Sequence, residues 1–315
     1  MRSAAVCTFA LALASGLAAE TLLVLNKEGN VAMVDPATRK VLAHVPAGEG
    51  PHEIVATADG KLAVVSNYGG HTLSVIDLAS RRELRRVDLS PLSRPHGLFA
   101  AGGRIYFTVE SNRMVGRYDP ASNRVDWKIG TGQDGTHMVM LNRAGTMMFT
   151  SNFGSGSISI FERAGGTGDW HQTNVPTGPG VEGFDISPDE KQLWAANAGD
   201  GTVSIIDGAT KKIVETFNAG ARRSNRLKFT PDGRRVLISD LASGELLVID
   251  ASTKKMIKRI RTGSGSAGIL VQPDGSRAYV AATNDNHVAI VDLKTLEMIG
   301  QIQTGRGPDG MDWVK

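Results

Sequence analysis

Leu193-Trp194-Ala195-Ala196-Asn197 and, after a four-residue gap, Thr202-Val203-Ser204-Ile205-Ile206-Asp207 decide the fold. Each run is apolar, long enough for one strand and bounded by turn residues. The second run recurs along the chain as Ser74-Val75-Ile76-Asp77, Gly116-Arg117-Tyr118-Asp119, Ser159-Ile160-Phe161-Glu162, Leu247-Val248-Ile249-Asp250 and Ala289-Ile290-Val291-Asp292. Ala32-Met33-Val34-Asp35 opens the series, and successive acids stand 42, 42, 43, 45, 43 and 42 residues apart, which makes seven copies. A constant period of this length is the mark of a repeat architecture.

Each copy reads as four short strands, in the second copy residues 52–58, 62–66, 73–76 and 83–87. Pro231-Asp232-Gly233 and Pro273-Asp274-Gly275 recur between strands because Pro presets one turn dihedral and Asp and Gly tolerate the next. The expected fold is all-β: a seven-bladed β-propeller of four-stranded blades. Residues 22–25 match a second strand and residues 310–314 a first strand, so one blade must combine 22–45 with 310–314. Pairing the N- and C-terminal strands closes the ring and protects their edges. The fourth copy carries Gly165-Gly166-Thr167-Gly168 and Trp170 in a longer hairpin, which reads as a tolerated insertion.

At 315 residues, 41% hydrophobic and 21% charged, the chain has ordinary globular usage, which excludes a disordered chain and a membrane-embedded bundle. Net charge is +3 with no basic run, so no nucleic-acid partner is expected. Residues 1–19 read differently: Met1-Arg2, an apolar stretch over 6–17, then Leu17-Ala18-Ala19 before Glu20 form a signal peptide. The expectation is a periplasmic, monomeric, single-domain protein over 20–315, with no membrane span after cleavage. Cys7, the only cysteine, lies in the leader, so the mature chain has no disulfide and no covalent haem.

Aligning the repeats at the start of the innermost strand gives one column: His52, His96, His137, Glu182, Asn225, Ala267 and Asp309. It holds three of the seven histidines and, in ring order from Asp309, an arc of acid, three imidazoles and acid. Imidazole and carboxylate are ligands for divalent transition metals, and three imidazoles with an open position suit catalytic zinc. The metal candidates are His52, His96, His137 and Glu182; the ligand-binding candidates are His52, His96, Asn225 and Asp309. The alternative reading of the column is polar channel lining that holds water or loop backbone.

Arg222, Arg223 and Arg226 flank Asn225 and suit a carboxylate or phosphate through forked hydrogen bonds, with solvated loop charge as the alternative. Asn26, Asn67, Asn152, Asn197, Asp240 and Asn284 read as turn-makers after the second strands. His71 and His287 read as outer-loop residues. There is no Gly-rich phosphate loop, no Gly-x-Ser-x-Gly elbow and no Cys-x-x-Cys-His, which removes the commonest enzyme classes.

Leu193-Trp194-Ala195-Ala196-Asn197, Ala278-Tyr279-Val280-Ala281-Ala282 and residues 202–207 resemble the YVTN repeat of bacterial propellers, including the YncE-like exported proteins, over residues 21–315. That resemblance implies the propeller more than any one activity, since its relatives include lactonases, haem d1-binding propellers and accessory subunits of amine dehydrogenases. Two functions follow. One is a periplasmic binding or accessory protein that offers the channel-mouth face to a small molecule or protein. The other is a lactonase-like hydrolase or metal-dependent lyase, for which resemblance to lactonising propellers assigns His137, Glu182 and Arg226 as catalytic.

Overall fold

The computed structural model describes residues 20–163 and 169–315. The leader expected over 1–19, with Cys7, and Gly165-Gly166-Thr167-Gly168 lie outside the described residues. Seven four-stranded antiparallel sheets form the blades. Blade 1 joins both ends of the chain, in the order Pro308–Val314, Thr21–Asn26, Asn30–Asp35 and Lys40–Pro46. Its closing pairing runs from Thr21 opposite Val314 to Asn26 opposite Pro308, as the mismatched ends of the sequence require. The innermost strands of blades 2 to 7 are Pro51–Ala56, Pro95–Ala101, Thr136–Leu141, Val181–Ile186, Ser224–Phe229 and Ser266–Val271. Each touches its neighbours' innermost strands, and Pro308–Val314 touches both Pro51–Ala56 and Ser266–Val271, so the ring closes.

The second and third strands of each blade are largely apolar on both faces because both faces are covered. Alternate side chains of a strand point to opposite sides, and Leu23 and Leu25 pack towards blade 2 with Ile54 and Val65, whereas Leu22 and Val24 pack towards blade 7 with Tyr279 and Ile290. One such cluster fills every blade-to-blade interface. The repeat acid is a turn device. Asp77 accepts the Ser80 amide at 2.6 Å and its hydroxyl at 2.7 Å, and Asp250 does the same for Ser252 and Thr253.

The polar tier after the second strands is a set of latches between blades. Asn67 is fully buried, donates to Thr72 Oγ1 at 2.9 Å and Ser74 Oγ at 3.0 Å, and accepts the Gly48 amide of the preceding link at 2.9 Å. Asn284 does not belong to this set, because Ala282 ends the corresponding strand and Asn284 is exposed in the single-turn 3-10 helix Thr283–Asp285. Blade 3 behaves alike: Val109 ends its second strand and the 3-10 helix Glu110–Asn112 follows. His287 is not an outer-loop residue either; it starts a strand, is buried and sits with Nε2 2.9 Å from the Thr262 carbonyl.

Candidate functional site at the channel mouth

Every innermost strand carries a register shift beside the column position, for example between Pro51 and Glu53 and between Thr136 and Val139. A bulge lets two consecutive residues address the same side, so the column and the residue after it both reach the channel. At that second position the strands come close. A Cβ at Gly97 would lie 2.5 Å from the His137 carbonyl oxygen, and one at Gly268 2.0 Å from that of Asp309. Gly183 and Gly310 hold this position in two more blades, and Glu53, Met138 and Arg226 are the side chains that occupy it in the other three.

Hydroxyls on the second strand of one blade hold the column backbone of the next. Ser66 donates to the His96 carbonyl at 2.6 Å, Thr108 to that of His137 at 2.6 Å and Ser151 to that of Glu182 at 2.8 Å. On this frame the three imidazoles come together. His96 and His137 stack with centroids 3.8 Å apart, His52 lies 5.1 Å from His96, and the Tyr68 ring packs against His52 at 4.5 Å and His96 at 5.4 Å. Arg94 covers the Tyr68 ring at 5.6 Å.

Glu110 pairs with His137 Nδ1 and accepts from the Tyr68 hydroxyl at 2.7 Å. On the other side of the ring, His137 Nε2 stands 3.6 Å from Glu182, which also accepts from the Asn225 amide. Asp309 meets Lys27 at 3.0 Å and His52 Nδ1 at 3.7 Å. Arg226 is buried and ion-paired to Glu53, which belongs to blade 2 whereas Arg226 belongs to blade 6, so this pair spans the channel. Its other nitrogen lies 3.7 Å from Glu182. Arg226 is therefore committed inside the protein, while Arg222 and Arg223 are exposed and present their backbone amides to Asp240.

The imidazoles differ in charge. Burial would push His137 down, but the Glu110 and Glu182 carboxylates outweigh it and hold its pKa up to about 9. His52 is lowered to about 4 by burial, against the pull of Asp309. Burial and the neighbouring His137 charge hold His96 well below its ordinary value. Glu110 lies below the carboxylate range despite burial, because His137 donates to it, and burial with Glu110 nearby raises Tyr68 to about 12.

The structure thus brings His52, His96, His137, Glu182, Asn225, Asp309 and Arg226 into one network. Ala267 supplies no polar atom. Sequence reasoning missed Glu110, Tyr68, Lys27 and Glu53. For Glu110 a signal existed: Val109 replaces the Asn or Asp latch, and the loop that forms without it turns Glu110 inwards. His96 Nδ1, His137 Nε2 and Glu182 Oε2 are buried without a hydrogen-bond partner, which in a native site calls for an explanation such as a bound ion. One donor atom from each of His96, Glu110 and His137 lie within 4.8 Å of one another, a grouping suited to a metal ion.

The sequence profile of the cytochrome D1 heme domain matches residues 188–311, and that of the outer membrane protein assembly factor BamB matches residues 27–178. Neither spans half of the chain. No curated protein matches significantly. Among solved structures, a functionally unknown protein from Desulfotomaculum acetoxidans is similar with a TM-score of 0.80 at 11% identity, covering 93% of this chain and 98% of that one. A protein provisionally named a 6-phosphogluconolactonase from Bacteroides fragilis has a TM-score of 0.78 at 16% identity, covering 95% and 99%. Kuenenia stuttgartiensis hydrazine synthase gives 0.71 at 19%, covering 83% and 88%. At such identities the likeness shows the fold, which hosts many unrelated sites.

Proposed function

We propose that this chain is an exported, periplasmic ligand-binding propeller of the YncE-like kind whose channel mouth holds a divalent transition metal through His96, His137 and Glu110, with His52 and Glu182 beside them. The observation that carries this reading is the clustering of one donor atom each from His96, Glu110 and His137 within 4.8 Å, with His96 Nδ1 and His137 Nε2 buried and without a hydrogen bond. Charge supports it. Glu53, Glu110, Glu182 and Asp309 face Lys27, His137 and Arg226, so the network holds four acidic groups to three basic ones. Exchanging the His137 proton for a divalent ion adds one positive charge and balances the set. The metal would present a Lewis-acidic position to a small molecule or partner at the mouth. A lactonase-like use of His137, Glu182 and Arg226 has less support, because Arg226 is engaged by Glu53 and is not free to receive an anion.

Titration of metal-free protein with Ni2+, Co2+ and Zn2+, read by calorimetry and elemental analysis, tests the site. One ion per chain is expected, with H96A, H137A and E110Q each weakening binding by about tenfold or more, while H71A and H171A, on exposed histidines, leave it unchanged. Equal affinities across all these variants, or no binding, would overturn the proposal.

A further inference from the structure

The Glu53–Arg226 pair divides the channel, and on its far side from the imidazoles lies a second cavity of about 950 Å3. It opens at the opposite face of the ring, among the turns at the ends of the innermost strands, where Asp59, Gly60, Gly102 and Pro273 form its rim. This volume is in the range of small-molecule sites. Val55, Phe99, Met138 and Leu270 make most of its wall apolar.

Against this wall stands Asp312, on the strand that closes the ring. Its carboxylate accepts the Ala56 amide at 2.6 Å and the Trp313 amide at 2.8 Å, and among the described residues no Lys, Arg or His nitrogen forms an ion pair with it. Burial raises its pKa above the usual aspartate value, and the Ala56 and Trp313 amides and the Lys228 charge offset this only in part. The other charged groups that line the cavity are Lys228, which lies 3.9 Å from Asp185, Arg104, which pairs with Asp119 at 3.3 Å, and Asp59 and Lys315 at the exposed rim, with the Glu53–Arg226 pair at the inner end. Arg104, Arg226 and Lys228 each have a carboxylate of their own in Asp119, Glu53 and Asp185, so the Asp312 carboxylate stands in the apolar wall without an ion pair.

We infer that this cavity is a second binding site, separate from the channel mouth, for an amphipathic organic amine whose ammonium group meets Asp312 and whose apolar body lies against Phe99, Val55 and Met138. A half-buried carboxylate in an apolar wall with no ion pair favours a cation and disfavours an anion. The inference goes beyond the metal reading and does not depend on it.

The test uses the full mature chain without added metal and three probes of one shape: 3-phenylpropylammonium, 3-phenylpropanol and 3-phenylpropionate. Calorimetry should give one ammonium per chain, bound about tenfold or more tighter than the alcohol, with the carboxylate weakest. D312N should remove the preference of ammonium over alcohol while alcohol binding persists, which also shows that the variant is folded. K228M, which removes a positive charge from the cavity wall, should tighten ammonium binding and weaken the carboxylate further. Equal binding of the three probes, tighter carboxylate binding, no binding of any probe, or an unchanged preference in D312N or K228M would overturn the inference.

Discussion

His137 is the residue on which the mouth turns, because it is charged where its neighbours His52 and His96 are held neutral. Its pKa is raised from 6.5 to about 9, so the stabilisation it contributes is complete below about pH 6.5 and is lost as pH rises through 9. Metal-free protein should accordingly lose thermal stability between pH 7 and 9.5, and H137Q should flatten that limb of the profile. His52, lowered to about 4, acts in the opposite direction: its contribution is present above 6.5 and falls away as the solution is acidified towards 4. Metal and proton compete for the same imidazole. Ni2+ affinity should therefore rise about tenfold per pH unit from pH 6.5 to 8.5, and an affinity independent of pH would exclude His137 as a ligand.

At the scale of the element, the site depends on the fit between one blade's second strand and the next blade's bulge. Thr108 accepts the Gly97 amide at 2.8 Å and donates to the His137 carbonyl at 2.6 Å, so a single hydroxyl fixes the column backbone of blades 3 and 4. T108V would leave both groups buried and unpaired, at a cost of about 1–3 kcal/mol each. We expect T108V to lower the melting temperature and weaken metal binding, whereas T108S keeps the hydroxyl and both properties. Melting curves with metal titrations check this. The other decisive element is the 3-10 helix Glu110–Asn112. It forms where Val109 replaces the latch residue that Asn67, Asn152 and Asn197 supply elsewhere, and it delivers the acid that charges His137.

For the whole molecule, the ring is held by the pairing of Pro308–Val314 with Thr21–Asn26. This strand bears Asp309 at the mouth and Asp312 at the second cavity, so both candidate sites depend on closure. Deleting residues 308–315 exposes the edge of Thr21–Asn26 and one side of the clusters containing Met311, Trp313 and Val314. The melting temperature should drop by on the order of 10 °C, since each lost kcal/mol costs roughly 2–4 °C at this size. Removing the six residues between Arg163 and Trp170, in the fourth-blade hairpin, should cost far less. Equal melting temperatures for the two deletions would contradict closure by the terminal strands.

The sequence by itself determined the number of blades, the four-strand unit, the shared first blade and the column of His52, His96, His137, Glu182, Asn225 and Asp309. These are legible because a repeat restates its pattern every 42 to 45 residues, and the column follows from alignment within that period. Only the tertiary structure decided which way the side chains at and beyond the column face. The bulges turn Glu53 and Arg226, 173 positions apart in the chain, into one ion pair across the channel. Glu110 enters from a loop whose shape depends on a missing latch, and Asp312 is left without an ion pair by its neighbours in other blades. No local pattern carries these facts, because each depends on distances between blades that exist only once the ring has closed.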